Sequence, residues 1–360
     1  MSIWKYADRF TTIASPHRIT LGEGDTPLLP SRSLGPQAGL RNLFFKLETT
    51  NPTGSYKDRF AAAAISDMVA QGKKRCVATS SGNTGSALAA YCAAEDLPCQ
   101  IAIVETAPQG KLLQMLAYGA QLYRVQGFGI DPQITEQTFE RVRQLGKSED
   151  ASLQISAFCD SPVGMRGVQT ISYELLEQAP QVPDHVFCPA GGGGLTLAIA
   201  RGFEGASHQT QHRTSPTRIH CVQPQGNNTI ASALRQGETR ARVVHGKTSI
   251  SGLQVPNVMD GNEVIAACRA SGGTGYAVED EEVFTLQARL AVEEGIFCEP
   301  AAAVAVAGAL LAAKLQEIRP EEIVVCLITG SAFKDPPSLE RMAGNKPCPT
   351  VCWEQLFTSG

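Results

Sequence analysis

The nine residues Asn51-Pro52-Thr53-Gly54-Ser55-Tyr56-Lys57-Asp58-Arg59, NPTGSYKDR, set one lysine between a turn signal and the alanine-rich run Phe60-Ala61-Ala62-Ala63-Ala64-Ile65. Asn51-Pro52 and Gly54 turn the chain, and Asp58 suits the first turn of a helix, where its charge meets the helix dipole. Lys57 then has two readings: a solvated residue at a helix start, or a nucleophilic amine held in a site. The segments that follow the other expected strands bear on which reading holds.

Short apolar runs rich in valine and isoleucine alternate with helical patterns, which predicts an α/β protein of mostly parallel sheets covered by helices. The expected strands cover 76–79, 100–104, 121–125, 185–188, 219–222 and 323–328, and the expected helices 86–94, 111–118, 135–145, 168–177 and 195–203. A break near 146–151 divides the chain into a smaller α/β domain, 46–150, and a larger one made of 1–45 with 151–360. A length of 360 residues with 43% hydrophobic content is enough to bury two such cores.

Composition narrows the function classes. The net charge of -4 comes with no basic cluster longer than Lys73-Lys74-Arg75, so no nucleic-acid partner is expected. The apolar stretch 300–315 is mostly alanine and too weakly hydrophobic for a membrane span, and Met1 to Tyr6 has no signal-peptide core. A cytoplasmic location follows as the expectation. The eleven cysteines are odd in number and scattered, which reads as small buried hydrophobes in a reducing compartment. The close pairs Cys92 with Cys99 and Cys348 with Cys352 complete no zinc pattern, and no metal site is expected.

In sheets of this kind ligands collect at the carboxyl ends of the strands. Three such junctions are made of small residues: Ser80-Ser81-Gly82-Asn83-Thr84-Gly85, Gly191-Gly192-Gly193-Gly194-Leu195-Thr196 and Thr329-Gly330-Ser331. Four glycines leading into a helix can aim several N–H groups at one point with the helix dipole behind them, which suits a phosphate. The spacing fits neither a nucleotide P-loop nor a dinucleotide fingerprint. Ser80 to Gly85 offers hydroxyls, amides and a carboxamide for a carboxylate or phenolic oxygen; it also reads as a plain helix start capped by Asn83 or Thr84. A phosphate cradle, an anion site and a lone lysine together suggest pyridoxal phosphate, whose aldehyde takes a lysine amine.

The motifs quoted so far, with Gly22-Glu23-Gly24-Asp25-Thr26-Pro27-Leu28, Lys46-Leu47-Glu48, Ala117-Tyr118-Gly119-Ala120 and Gly295-Ile296-Phe297-Cys298-Glu299-Pro300-Ala301, run in one order along nearly the whole chain. In that order they resemble the fold type II pyridoxal phosphate enzymes (tryptophan synthase β-like), and within them look most like threonine synthase. The resemblance implies that Lys57 is the Schiff-base lysine and the catalytic base, with tyrosine before it where phenylalanine is usual. It implies that Asn83 lies along the cofactor's 3-oxygen and that Ser80, Ser81, Gly82 and Thr84 hold the substrate carboxylate. Gly191, Gly192, Gly193, Gly194 and Leu195 would cradle the phosphate, and Thr329 would face the pyridine nitrogen. The larger domain becomes the cofactor-binding one, the substrate a small amino acid, and the assembly a homodimer. Glu299, before Pro300, keeps only the role of a helix-start acid.

Two segments depart from threonine synthase. The glycine loop lacks the family's asparagines and resembles that of serine or threonine dehydratases. Ser161-Pro162-Val163-Gly164 replaces an Asn-Pro-x-Arg that grips the substrate phosphate, and Arg166, two positions later, is the candidate replacement. The expected activity is threonine synthase-like elimination and replacement with loss of phosphate. The alternatives are a serine/threonine ammonia-lyase or a β-replacement enzyme using an activated serine, and a non-catalytic ligand-binding homologue.

Overall fold

The computed structural model describes residues 2–80, 82–206, 216–244, 247–255, 258–344, 346–353 and 356. Among them, ten strands build two sheets. The strands are β1 Leu28–Pro30, β2 Asn42–Leu47, β3 Arg75–Thr79, β4 Cys99–Ile103, β5 Gln121–Arg124, β6 Ala151–Leu153, β7 His185–Pro189, β8 Arg218–Pro224, β9 Gly275–Val278 and β10 Ile323–Ile328. The six-stranded sheet has the order β1-β2-β10-β7-β8-β9 and the four-stranded sheet β5-β4-β3-β6. Only β1 runs antiparallel to its neighbour. Every residue of β7 and β10 is buried, as parallel strands covered on both faces require.

The six expected strands stand where their valine and isoleucine runs placed them. Four others carry weaker signals. β2 contains Lys46, β9 opens on Gly275, and β1 and β6 are three residues long. Two of these move the expected division of the chain. Ala151–Leu153 pairs with Arg75–Val77 in the smaller sheet, although the division was expected before it, and Lys46–Leu47 ends a strand of the larger sheet. The turn near 146–151 brings the chain from the helix Pro132–Gly146 back alongside β3 as β6, and a Cβ at Gly146 would fall 2.5 Å from Leu153 Cβ. No helix among the described residues is long and apolar enough to cross a membrane.

The helix Lys57–Ala70 is buried without interruption from Asp58 to Ser66. Its four consecutive alanines keep it thin enough for close neighbours. The helix Pro162–Val168 approaches through glycines: a Cβ at Gly167 would fall 2.4 Å from the Arg59 carbonyl oxygen, and one at Gly164 2.6 Å from Phe60 Cε2. Glycine costs helix propensity, and here it permits that approach.

Arg59 ties this helix to the rest of the chain. Its guanidinium, fully buried, donates to Glu48 (2.7 and 2.8 Å), Glu174 (2.6 and 2.8 Å) and the Thr170 hydroxyl (2.9 Å). Lys46 Nζ reaches Glu174 at 2.6 Å, the Thr26 carbonyl and Gln178. Asn51 donates to Glu48 and accepts from the Gly24 amide. Two cations and two carboxylates balance, and the nearby charges hold the Glu174 carboxyl down at about 2 against its burial. Breaking a buried, balanced set leaves an uncompensated charge in low dielectric, at about 3–5 kcal/mol. Arg59→Met is therefore expected to lower the unfolding free energy of the cofactor-free protein by roughly that amount in urea titrations. Arg75→Met, which removes a largely exposed pair with Asp150, should cost under about 1 kcal/mol.

Candidate active site

Lys57 begins its helix directly after Tyr56, and its Nζ donates to Ser156 Oγ at 2.7 Å and lies 4.5 Å from the Tyr56 ring centroid. Burial disfavours the ammonium and pulls the pKa down to about 7, although the carboxylates of Glu299 and Asp260 oppose the shift. A lysine so placed presents a free amine near neutral pH.

Ser156 is where the parts meet. Its hydroxyl also lies 2.9 Å from Thr84 Oγ1, and its carbonyl oxygen would stand 3.1 Å from a Cβ at Gly194. The sequence reading overlooked it because it is a single serine just past β6, a strand too short to be recognised.

The loop after β3 leads into the helix Asn83–Ala94. Ser80 Oγ accepts from the amides of Gly82 at 3.3 Å and Gly85 at 3.0 Å, so this hydroxyl shapes the turn. Ser81 lies outside the described residues. Asn83 makes no capping bond; its amide donates to both oxygens of Glu299 at 3.0 and 3.1 Å. Glu299, expected only to start the helix Pro300–Lys314, is buried against Asn83. Burial raises its pKa, and the Asn83 hydrogen bond, with Lys334 and Lys111 beyond it, acts the other way. Gly330 makes room for this contact, since a Cβ there would fall 2.4 Å from Glu299 Oε1.

Thr329 follows β10 and is buried. Its carbonyl accepts from the Tyr56 amide at 3.0 Å, and Ser55 bridges Gly330, so the lysine's turn and the Thr329 junction are stitched together. Between β7 and the helix Gly194–Gly205 runs the glycine loop, with Gly193 in the left-handed region at φ 96°. Among the described residues, the N–H groups of Gly191 to Thr196 donate to no protein acceptor. Side chains crowd the loop: a Cβ at Gly191 would be 3.0 Å from Val255 Cγ2, and one at Gly193 2.7 Å from Val264 Cγ2. Unpartnered donors at a helix N-terminus, with room for backbone alone, fit a phosphate.

Arg166 is not part of this gathering. It is exposed, and its guanidinium makes no hydrogen bond or ion pair among the described residues, while Gly164, Met165 and Gly167 of the same helix are buried. Two residues turn a helix by about 200°, so a side chain at 166 cannot take over a position facing the way 164 does.

A family described as pyridoxal-phosphate dependent enzyme matches residues 19–330. The chain belongs to that family. Pyridoxal phosphate is its cofactor, and the free donors of the glycine loop and the buried amine of Lys57 suit that molecule's two ends. A threonine synthase of Methanosarcina acetivorans is 32% identical over 338 residues, 93% of this chain and 80% of that protein. Another, of Methanocaldococcus jannaschii, is 32% identical over 98% of this chain and 85% of that protein. The structure of maize serine racemase shares the fold, with a TM-score of 0.73 and 24% identity, covering 88% of this chain and 90% of that one.

The pyridoxal phosphate enzyme without its cofactor should capture it faster as pH rises, because only the unprotonated Lys57 amine reacts. Visible absorbance after rapid mixing is expected to give a rate with a midpoint near 7; a midpoint near the ordinary lysine value, about 10.4, would contradict the burial argument. Gly193→Ala forces a side chain into the left-handed region and onto Val264, and should weaken cofactor binding about tenfold or more by equilibrium titration.

Proposed function

We propose that the chain is a carbon–oxygen lyase of threonine synthase type, acting on a small amino acid by elimination and replacement with loss of phosphate. The observation that carries it is the meeting of Lys57, Thr84 and the glycine loop on Ser156 in a chain alike to threonine synthases along almost its whole length. Bound pyridoxal phosphate supplies an electron sink for charge developing at the substrate's α-carbon.

The chain's own groups do the rest. Lys57 serves as anchor and then as base at the α-carbon, burial having brought its pKa down to about 7 so that a large share of the amine is unprotonated near neutral pH. Ser156 holds that amine through its hydroxyl, which Thr84 meets in turn, and the two hydroxyls can pass its proton on. Asn83, fixed by Glu299, is assigned to the cofactor's 3-oxygen, and Ser80, Gly82 and Thr84 to the substrate carboxylate. The amides of Gly191, Gly192, Gly193, Gly194 and Leu195 are assigned to the phosphate, in the larger of the two proposed domains. Thr329 offers a neutral hydroxyl at the pyridine nitrogen. A hydroxyl cannot hold a pyridinium as a carboxylate would, and the milder sink suits loss of a β or γ leaving group. The proposal includes a homodimer and a cytoplasmic setting, the latter supported by cysteines such as Cys188, Cys221 and Cys326 that are buried in the core as thiols.

A second reading, an ammonia-lyase or β-replacement enzyme, is favoured by one observation. Gly164 lies against Phe60 and Arg166 is exposed, so neither residue brings a guanidinium to a substrate phosphate. Incubation with O-phosphohomoserine, O-phosphoserine, serine and threonine, assayed for phosphate, ammonia, 2-oxo acid and threonine, separates the two. Threonine with phosphate supports the first reading; phosphate without threonine, or ammonia from serine, supports the second. Lys57→Ala should lower turnover by about a thousandfold or more on whichever substrate is used, and near-normal turnover would exclude it as the base.

A further inference from the structure

Cys76 on β3, Cys99 on β4 and Cys92 on the helix Asn83–Ala94 bring their Sγ atoms within 4.8 Å of one another. Cys76 and Cys99 are register partners in the smaller sheet, and Cys92 meets them from the helix. No other group of three or more cysteine, histidine, aspartate or glutamate side chains among the described residues comes together this way. The trio stands apart from the cofactor site. Cys76 is four residues before Ser80 along extended chain, about 13 Å.

The bland account is three small apolar side chains in a core. Against it stands their convergence: two strands and a helix bring three sulfurs within 4.8 Å of one another. A centre bonded at about 2.3 Å to three sulfurs holds them at most about 4 Å apart, and the three sulfurs here already stand within 4.8 Å of one another. The three side chains are at most 4% exposed, and their cluster is otherwise apolar, including Ala78, Leu88, Ala89 and Ile101. Such a pocket does not tolerate net charge. Three thiolates around a monovalent or divalent ion leave two negative charges or one. Around a trivalent centre they leave none.

We infer that Cys76, Cys92 and Cys99 form a three-sulfur binding site for a soft, trivalent, three-coordinate centre of the arsenite class. Binding is a ligand exchange without redox. Three As–O bonds of arsenous acid break, three As–S bonds form, and each thiol proton leaves with a hydroxyl as water. The product clamps β3, β4 and the helix that carries Asn83.

The test uses the cofactor-loaded protein with the exposed Cys159, Cys348 and Cys352 replaced by serine. Sodium arsenite is added under a phosphine reductant, once to the native protein over hours and once during refolding, and excess is removed. Intact mass should show one arsenic retained per chain, and X-ray absorption at the arsenic edge should show three sulfur neighbours and no oxygen. Cys92→Ala and Cys99→Ala should each lose that retention while keeping the cofactor's visible absorbance. No arsenic retained by either route, equal retention in both alanine variants, or oxygen in the arsenic's first coordination sphere overturns the proposal.

Discussion

Arg59 between Glu48 and Glu174 is the contact on which the site depends. One guanidinium, wholly out of water, fastens the start of the lysine helix to the end of β2 and to the helix Thr170–Gln178. Lys46 and Asn51 extend the set to the residues around Gly24 and Thr26. Desolvating four charges is costly, and the return is geometric: a balanced, hydrogen-bonded cluster has few alternative arrangements. Lys57, two residues before Arg59, inherits that fixity, and the motifs that co-occur along the chain turn out to be the walls of one polar box.

Around the fixed lysine, three strand ends deliver complementary chemistry. β3 supplies hydroxyls and the Asn83 amide, β7 a row of N–H groups without a protein acceptor among the described residues, and β10 a neutral hydroxyl with a glycine that leaves space for Glu299. Ser156 bonds Lys57 and Thr84 and lies beside Gly194, while the Tyr56 amide ties the lysine's turn to Thr329, so the lysine is linked to all three junctions.

Local signals in the sequence were read correctly where the cause was local. Valine-rich runs became the central strands, and the glycine loop and the lysine's turn carry their geometry in their own residues. What escaped was set by distant partners. Arg59 and Asp58 look like a solvated pair at a helix start because the Arg59 partners lie 11 and 115 positions away. Lys46 hid β2 for the same reason, its buried ammonium being matched by Glu174. Glu299 was assigned to a helix dipole because nothing in its neighbourhood announces Asn83. Arg166 was a candidate by counting along the chain, and helical rotation, which a count ignores, puts it outside. The three cysteines, scattered in sequence, are gathered by the register of β3 on β4 and by the helix packed against them.

In the proposed site this box presents Lys57, and no other lysine, to pyridoxal phosphate. Borohydride reduction of the cofactor-loaded protein, followed by protease digestion and peptide mass mapping, tests it most directly. The account predicts the cofactor's mass on the peptide containing Lys57 alone. Label on Lys46, Lys111 or Lys334 in place of Lys57, or no label in a protein that has taken up the cofactor, would contradict it.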